Sequence, residues 1–175
     1  MKNIFLTFAK QNQEAGKTIA GILSKMSNED REKDRKSYYK SLSGIFRHNT
    51  GAAVYFLTLM KDAAADNAAA QKALQPLAKC KEFSGKLTEE QWKQAVSFSK
   101  IADKAVIDFI DALEDKDFAS PVTIDWYKGK PPCAPLMFMM QQLVSHNIHH
   151  RGQISQILDS LKIENDFSGI NIKFI

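Results

Sequence analysis

The sequence has few of the features that mark secreted, membrane-spanning or disulfide-stabilised proteins. It contains two cysteines in 175 residues, and Cys80 and Cys133 form neither a CxxC pair nor a regular framework, so we expect reduced thiols. No stretch approaches the roughly 20 apolar residues that are needed to cross a bilayer, and the first residues include no apolar secretory segment. These absences predict a cytoplasmic protein with no membrane partner.

The chain also lacks a large excess of either positive or negative charge. Lys and Arg total 24 and Asp and Glu total 20, which leaves a net charge of +4. The densest charged run, residues 29–36, mixes both signs and places Glu29 four residues before Lys33, a spacing that stabilises an exposed helix surface. Nucleic-acid-binding proteins usually gather Lys and Arg on one face. We therefore interpret the run as a solvated helix face and expect no nucleic-acid partner.

Apolar residues recur with helical spacing along most of the chain. The length of 175 residues and the 44% hydrophobic composition are typical of a single folded domain, here residues 1–175. Spacing of about 3.6 residues between apolar positions predicts four long amphipathic helices. Their approximate ranges are 4–26, 28–60, 88–114 and 135–161. Four such helices around one core predict an all-α four-helix bundle.

Local signals refine this architecture. Thr88 with Gln91 predicts a capping box at the start of the third long helix, and Pro135 suits the first turn of the fourth. A short helix is expected within the connection over residues 63–87. Alternating residues over 122–127 predict a short strand or hairpin insertion before the last long helix.

Two glycines lie within the second predicted helix. Gly44 and Gly51 each cost about 1 kcal/mol relative to Ala in a helix interior. Because Gly has no side chain, we interpret both as positions where another helix approaches closely.

The four histidines fall on the predicted helices. His146 and His150 lie about 40° apart on one helix face, with Cβ atoms about 5–6 Å apart, so both imidazoles can reach one metal ion. His48 faces inward from the second helix, whereas His149 points to the side. Burying an imidazole without a partner costs about 1–3 kcal/mol. The pattern therefore predicts either a metal site or hydrogen-bonded core histidines, and spacing alone does not choose between them.

The segments around these histidines resemble two motifs of the DinB family, and the similarity covers nearly the whole chain. Residues 43–49 (SGIFRHN) are similar to the family segment that carries a histidine on the second helix. Residues 144–154 (VSHNIHHRGQI) are similar to its HxxxHRGQ segment on the last helix. The resemblance implies an up-down-down-up bundle, homodimers, and a divalent-metal site on His48, His146 and His150.

A site with three neutral nitrogen ligands and no fourth protein ligand is predicted to be open rather than structural. Zinc is the first choice, with nickel or ferrous iron as alternatives, because imidazole suits all three metals. Asn147 stands where the HExxH motif of zinc proteases has Glu, which argues against a protease of that type.

An open coordination position can generate hydroxide or ionise a thiol. The resemblance also includes metal-dependent transferases of low-molecular-weight thiols. We therefore predict a divalent-metal-dependent enzyme, either a small-thiol transferase or a hydrolase, that acts on a small molecule. The alternatives are a metal-binding or regulatory bundle without catalysis, and a structural interaction module that binds no metal.

Several other polar residues are expected either near the three histidines or at exposed helix positions. Asp125 could approach the three histidines from the hairpin region, whereas Tyr55 is interpreted mainly as a packing residue. Gln153 either orients a ligand or is simply polar at the mouth of the bundle. His149 and Arg151 are interpreted as exposed helix positions.

Overall fold

The computed structural model describes residues 1–81, 83–126 and 132–169, and most of these residues are helical. The α-helices and β-strands within the described ranges are α1 (Lys2–Ser24), α2 (Asn28–Glu32), α3 (Leu42–Lys61), α4 (Ala68–Leu74), α5 (Glu89–Ala112), β1 (Pro121–Thr123), β2 (Cys133–Pro135) and α6 (Leu136–Ser160). The predominantly helical prediction is confirmed, while the up-down-down-up order stays a prediction. Within the described ranges, no helix combines the length and the apolar character that a bilayer crossing requires.

The long helices α1, α3, α5 and α6 carry most of the apolar core. Helix α1 packs against α5, and α3 packs against α6. Fully buried side chains from these helices include Leu23, Leu57, Phe109 and Met139. Burying a side chain of this size contributes about 1.5–3 kcal/mol. Core packing therefore holds α3 beside α6, and these two helices carry the candidate site.

The start of α5 follows the sequence prediction. Thr88 Oγ1 accepts a hydrogen bond from the Gln91 backbone N–H at 3.2 Å, and Gln91 Oε1 accepts one from the Thr88 N–H at 2.9 Å. The capping box is therefore confirmed. Helix α6 begins at Leu136, one residue later than predicted, because Pro135 pairs within β2 and precedes the helix.

The segment before α6 forms the predicted hairpin only in part. Strands β1 and β2 pair antiparallel, with Val122 opposite Ala134. Residues 124–126 are not part of β1, contrary to the prediction, and residues 127–131 lie outside the described residues. Helix α4 confirms the short helix expected within residues 63–87.

The predicted second helix is broken in the structure. Helix α2 ends at Glu32 and α3 begins at Leu42, so the prediction of one continuous helix was wrong. The intervening loop, residues 33–41, has positive φ at Lys36 (58°) and Lys40 (68°). A right-handed helix cannot contain this left-handed backbone. The chain therefore turns between α2 and α3.

The charged run is a solvated helix face only in part, because Glu29 is exposed on α2 whereas the helix ends before Lys33. The Arg31 side chain is 0% exposed, and its guanidinium donates to the Leu23 carbonyl oxygen at 3.2 Å and to the Glu89 carboxylate. Glu29 and Lys33 cannot form a helical pair, because α2 ends before Lys33. A buried charge is tolerated when it is paired and hydrogen-bonded. Arg31 thereby connects the end of α1 to the start of α5.

A second group of charges lies inside the bundle. The Asn12 side-chain amide donates a hydrogen bond to the Asp103 carboxylate at 3.2 Å, and Arg151 lines the same small cavities. Arg151 is 6% exposed, so its interpretation as an exposed helix position was wrong. Burial raises the pKa of the Asp103 carboxyl to about 7, although Lys17, Asn12 and Arg151 each favour its ionised form.

We expect the free energy of unfolding of Asp103→Asn to rise more steeply, or fall less steeply, with pH between about 4 and 7 than that of the parent protein. An unfolded Asp has a pKa of about 3.9, so the folded protein holds the Asp103 proton more tightly than the unfolded chain does. The Asp103 contribution to the free energy of unfolding should therefore fall as the pH rises from about 4 to about 7, by about 1.4 kcal/mol for each unit of pKa difference. The lowered pKa values of His48 and His146 contribute with the opposite sign over part of this range. Urea unfolding at a series of pH values measures this slope.

The matched control for this experiment is Asp108→Asn, which removes a solvent-exposed carboxylate from the same helix. It should keep the slope of the parent protein. If the unfolding free energy of Asp103→Asn depends on pH as that of the parent protein does, the buried Asp103 carboxyl does not contribute to this dependence.

Candidate metal centre

Helices α3 and α6 bring three histidine rings together. His48 lies two turns into α3, and His146 and His150 lie one turn apart on α6. The Nε2 atoms of His48 and His146 are 3.0 Å apart, and those of His146 and His150 are 3.1 Å apart. We call these side chains the histidine cluster. Among the described residues, it is the one group of at least three His, Cys, Asp or Glu side chains close enough to share an ion.

Hydrogen bonds within the histidine cluster cannot satisfy all of its nitrogen atoms. A neutral imidazole Nε2 offers either one N–H or one lone pair, so the Nε2 atom of His146 can serve only one of its two neighbours well. The Nδ1 atom of His146 is also buried and has no hydrogen-bond partner among the described residues. Zn–N bonds of about 2.0–2.1 Å place ligand nitrogens about 3–3.5 Å apart. The cluster could therefore bind a divalent metal ion.

The electrostatics of the cluster favour neutral rings. Burial, with a smaller contribution from the neighbouring imidazoles, lowers the pKa of His48 and of His146 to about 4. Burial also lowers the pKa of His150, although the hydrogen bond to Gln153 opposes this shift. Neutral imidazole is the form that binds metal ions. At neutral pH these side chains need not release a proton before they bind a metal ion.

Gln153 fixes the orientation of His150. The His150 Nδ1–H donates a hydrogen bond to Gln153 Oε1 at 2.8 Å, which leaves the Nε2 lone pair directed into the cluster. The Gln153 amide also donates to His149 Nε2 at 3.1 Å. His149 itself is exposed, as expected. The structure therefore supports the interpretation in which Gln153 orients a histidine of the site.

Tyr39, which the sequence analysis missed, packs on the cluster. Its ring stacks on His48, with 3.8 Å between centroids and 15° between planes, and meets His150 edge-on at 5.4 Å. Tyr39 belongs to the loop over residues 33–41, which was predicted to be helical. Helical spacing therefore gave no signal for its position. The signal available in the sequence was an aromatic residue two positions before Ser41, the serine that caps α3.

Gly44 leaves room for this loop. Ser41 caps α3, because its Oγ accepts a hydrogen bond from the Gly44 N–H at 3.0 Å. A Cβ atom at Gly44 would lie 2.0 Å from the Tyr39 carbonyl oxygen. The close neighbour of Gly44 is therefore a loop and not a helix, and no neighbouring element lies within 4 Å of a Cβ at Gly51. The prediction that another helix approaches closely was therefore wrong for both Gly44 and Gly51.

Asp125 does not join the histidine cluster. Its carboxylate accepts a hydrogen bond from the Tyr55 hydroxyl, and no carboxylate among the described residues completes the three-histidine group. Burial and, to a lesser degree, Asp125 together raise the pKa of Tyr55 to about 12, so the hydroxyl keeps its proton at neutral pH. Tyr55 is 40% exposed. Its interpretation as a packing residue is therefore only partly correct.

We expect Gly44→Ala to weaken zinc binding about tenfold or more, because the added methyl displaces Tyr39 from the face of His48. Competition against a chromogenic chelator measures the affinity. Gly21→Ala is the matched control: Gly21 also lies within a helix, and no neighbouring element lies within 4 Å of its added Cβ. Equal zinc affinities in the two variants would show that the loop does not support the site.

We expect Gln153→Leu to weaken zinc binding by about 10–100-fold, because the His150 Nδ1–H loses its acceptor and the ring loses its fixed orientation. Gln153→Glu keeps an acceptor and should restore most of the affinity. Gln156→Leu, on an exposed position of the same helix, is the control. Competition against the same chelator measures the affinity. If Gln153→Leu binds zinc as tightly as the parent protein, Gln153 does not orient His150.

Comparison with known proteins agrees with the histidine motifs. A sequence model of the DinB family matches residues 1–161, which include helices α1 to α6 and the histidine cluster. No curated protein and no solved structure matches the chain. Because the family match covers well over half of the sequence, the chain belongs to the DinB family.

Proposed function

We propose that the protein is a divalent-metal-dependent enzyme whose metal ion is held by His48, His146 and His150. The observation that carries the proposal is the convergence of three Nε2 atoms at separations of 3.0 and 3.1 Å about His146. Their lone pairs cannot all be satisfied by hydrogen bonds. Three nitrogen ligands with no fourth side chain from the described residues are typical of a catalytic zinc site, which keeps one position open.

Zinc is the metal that we favour, with nickel and ferrous iron as alternatives, because imidazole binds all three. Iron oxygenases usually combine two histidines with one carboxylate. Here Asp125 hydrogen-bonds to Tyr55 instead, which makes iron the less favoured choice. A single domain, homodimerisation and a cytoplasmic location also stay predictions.

The reaction that we favour is transfer of a low-molecular-weight thiol or hydrolysis of a small substrate. A divalent ion bound here would act as a Lewis acid that lowers the pKa of a thiol or water at the open position. Gln153 presents the Nε2 atom of His150, and Tyr39 packs against the ring of His48. The Tyr55 hydroxyl stays protonated, so it can donate a hydrogen bond but does not act as a general base at neutral pH.

The second candidate function is a metal-binding or regulatory bundle without turnover. It is favoured by the hydrogen bond between Asp125 and Tyr55, which engages the carboxylate that was expected to approach the cluster. Both candidates predict the same metal content. Only a test for turnover separates them.

We expect the protein purified without added metal to contain about one divalent ion per chain, and His48→Ala to lose most of it while its circular dichroism stays helical. The matched control is His149→Ala, because His149 is exposed on α6 and lies outside the histidine cluster. Elemental analysis of the three proteins gives the answer. Full occupancy in His48→Ala would refute the ligand assignment.

The same three proteins then distinguish an enzyme from a binding protein. Each is loaded with zinc and assayed with a panel of low-molecular-weight thiols and a chromogenic electrophile. Turnover that is lost in His48→Ala and kept in His149→Ala supports the enzyme. Metal binding without histidine-dependent turnover across the panel supports the regulatory bundle.

A further inference from the structure

A cavity of about 420 Å³ lies beside the histidine cluster. Its wall is formed by α3, by α5, by the loop over residues 33–41 and by the segment around Phe83. His48 belongs both to this wall and to the cluster. Small-molecule sites usually have volumes of about 300–1,000 Å³. The cavity is therefore large enough for a small-molecule substrate beside His48.

The charged side chains of the cavity wall are cationic. Arg47 directly precedes His48 on α3, and Lys81 lines the same cavity from the segment before Phe83. Among the described residues that line the cavity, none carries a carboxylate. The two cations among the described lining residues favour an anionic ligand.

The backbone of Phe83 holds Arg47 in place. The Nη1 atom of Arg47 donates a hydrogen bond to the Phe83 carbonyl oxygen, while its buried Nε atom has no hydrogen-bond partner among the described residues. Arginine carries five N–H donors in a planar fork that matches a carboxylate. Arg47 is therefore anchored and still has donors for a ligand.

The rest of the cavity wall is mainly apolar and partly aromatic. The rings of Tyr39, Phe83 and Phe98 line it together with Ala95. Gly51 also lines it, and no neighbouring element lies within 4 Å of the position of its missing Cβ. The absence of a side chain at Gly51 therefore contributes open space. The lining therefore offers cations for an anionic group and aromatic rings for an apolar group.

We propose that this cavity binds a small organic anion, with its charged group on Arg47 and Lys81 and its apolar body against the aromatic rings. The inference deepens the proposed function, on which it rests, because it assigns a substrate class to the site beside His48. The anion and the metal would then be held on adjoining sides of one histidine. A neutral molecule of the same shape lacks the charged hydrogen bonds and binds more weakly.

The test compares phenylacetate with phenylacetamide, which has the same shape without the charge, by calorimetry on the full chain. A hydrogen bond to a charged group is worth about 1.5–3 kcal/mol, so phenylacetate should bind about 10–100-fold more tightly. Arg47→Met and Lys81→Met should each reduce this preference, and Arg47→Lys should restore part of it. Gly51→Leu should weaken both probes, because its side chain would occupy the cavity.

Lys86→Met is the matched control, because it removes one positive charge from an exposed residue outside the cavity wall. It should leave both affinities unchanged. Equal binding of the two probes, or equal losses in Lys81→Met and Lys86→Met, would overturn the inference. Unchanged binding in Gly51→Leu would also overturn it, because the probes would then bind elsewhere.

A second measurement separates this inference from the proposed function. The probe affinities are measured in metal-free protein, and the line widths of the phenylacetate protons are then measured after loading with cobalt. Probe binding with selective broadening supports both proposals. Probe binding to a protein that takes up no cobalt supports the cavity and contradicts the metal site. Cobalt uptake without probe binding, or with a bound probe that shows no broadening, overturns the cavity as a substrate site.

Discussion

The packing of α3 against α6 is the contact on which the site depends. His48 comes from one helix and His146 and His150 come from the other, so neither helix alone can gather three ring nitrogens. Buried residues such as Leu57 and Met139 hold the two helices together, each contributing about 1.5–3 kcal/mol. Burial also lowers the pKa of the histidines. The contact that assembles the histidine cluster thus keeps its nitrogens neutral.

The supports of the site come from segments without helical periodicity. The loop over residues 33–41 places Tyr39 on His48, and this placement is possible because Gly44 has no side chain to obstruct the Tyr39 carbonyl. The segment around Phe83 anchors Arg47 and closes one side of the neighbouring cavity. The long helices therefore position the histidines, while the connections shape the space beside them.

The parts that could be predicted depend on residues close in sequence. Helical spacing placed His146 and His150 on one face, and the capping box at Thr88 involves residues only three positions apart. Tyr39 was missed because a loop had been predicted as helix. Arg31 was predicted to be exposed because charge usually indicates solvent, but Glu89, 58 residues away, accepts its hydrogen bond inside the fold.

The sequence by itself determined which side chains have the chemistry of metal ligands, which helix faces carry them and, through its motifs, the DinB resemblance. Only the tertiary structure decided that the three Nε2 atoms lie 3.0 and 3.1 Å apart about His146, and that Arg47 and Lys81 share one cavity beside His48. The physical reason is the separation in sequence over which the interactions act. Caps and helix faces arise from hydrogen bonds and spacings over a few residues, whereas convergence and burial depend on packing between elements that are distant in the chain.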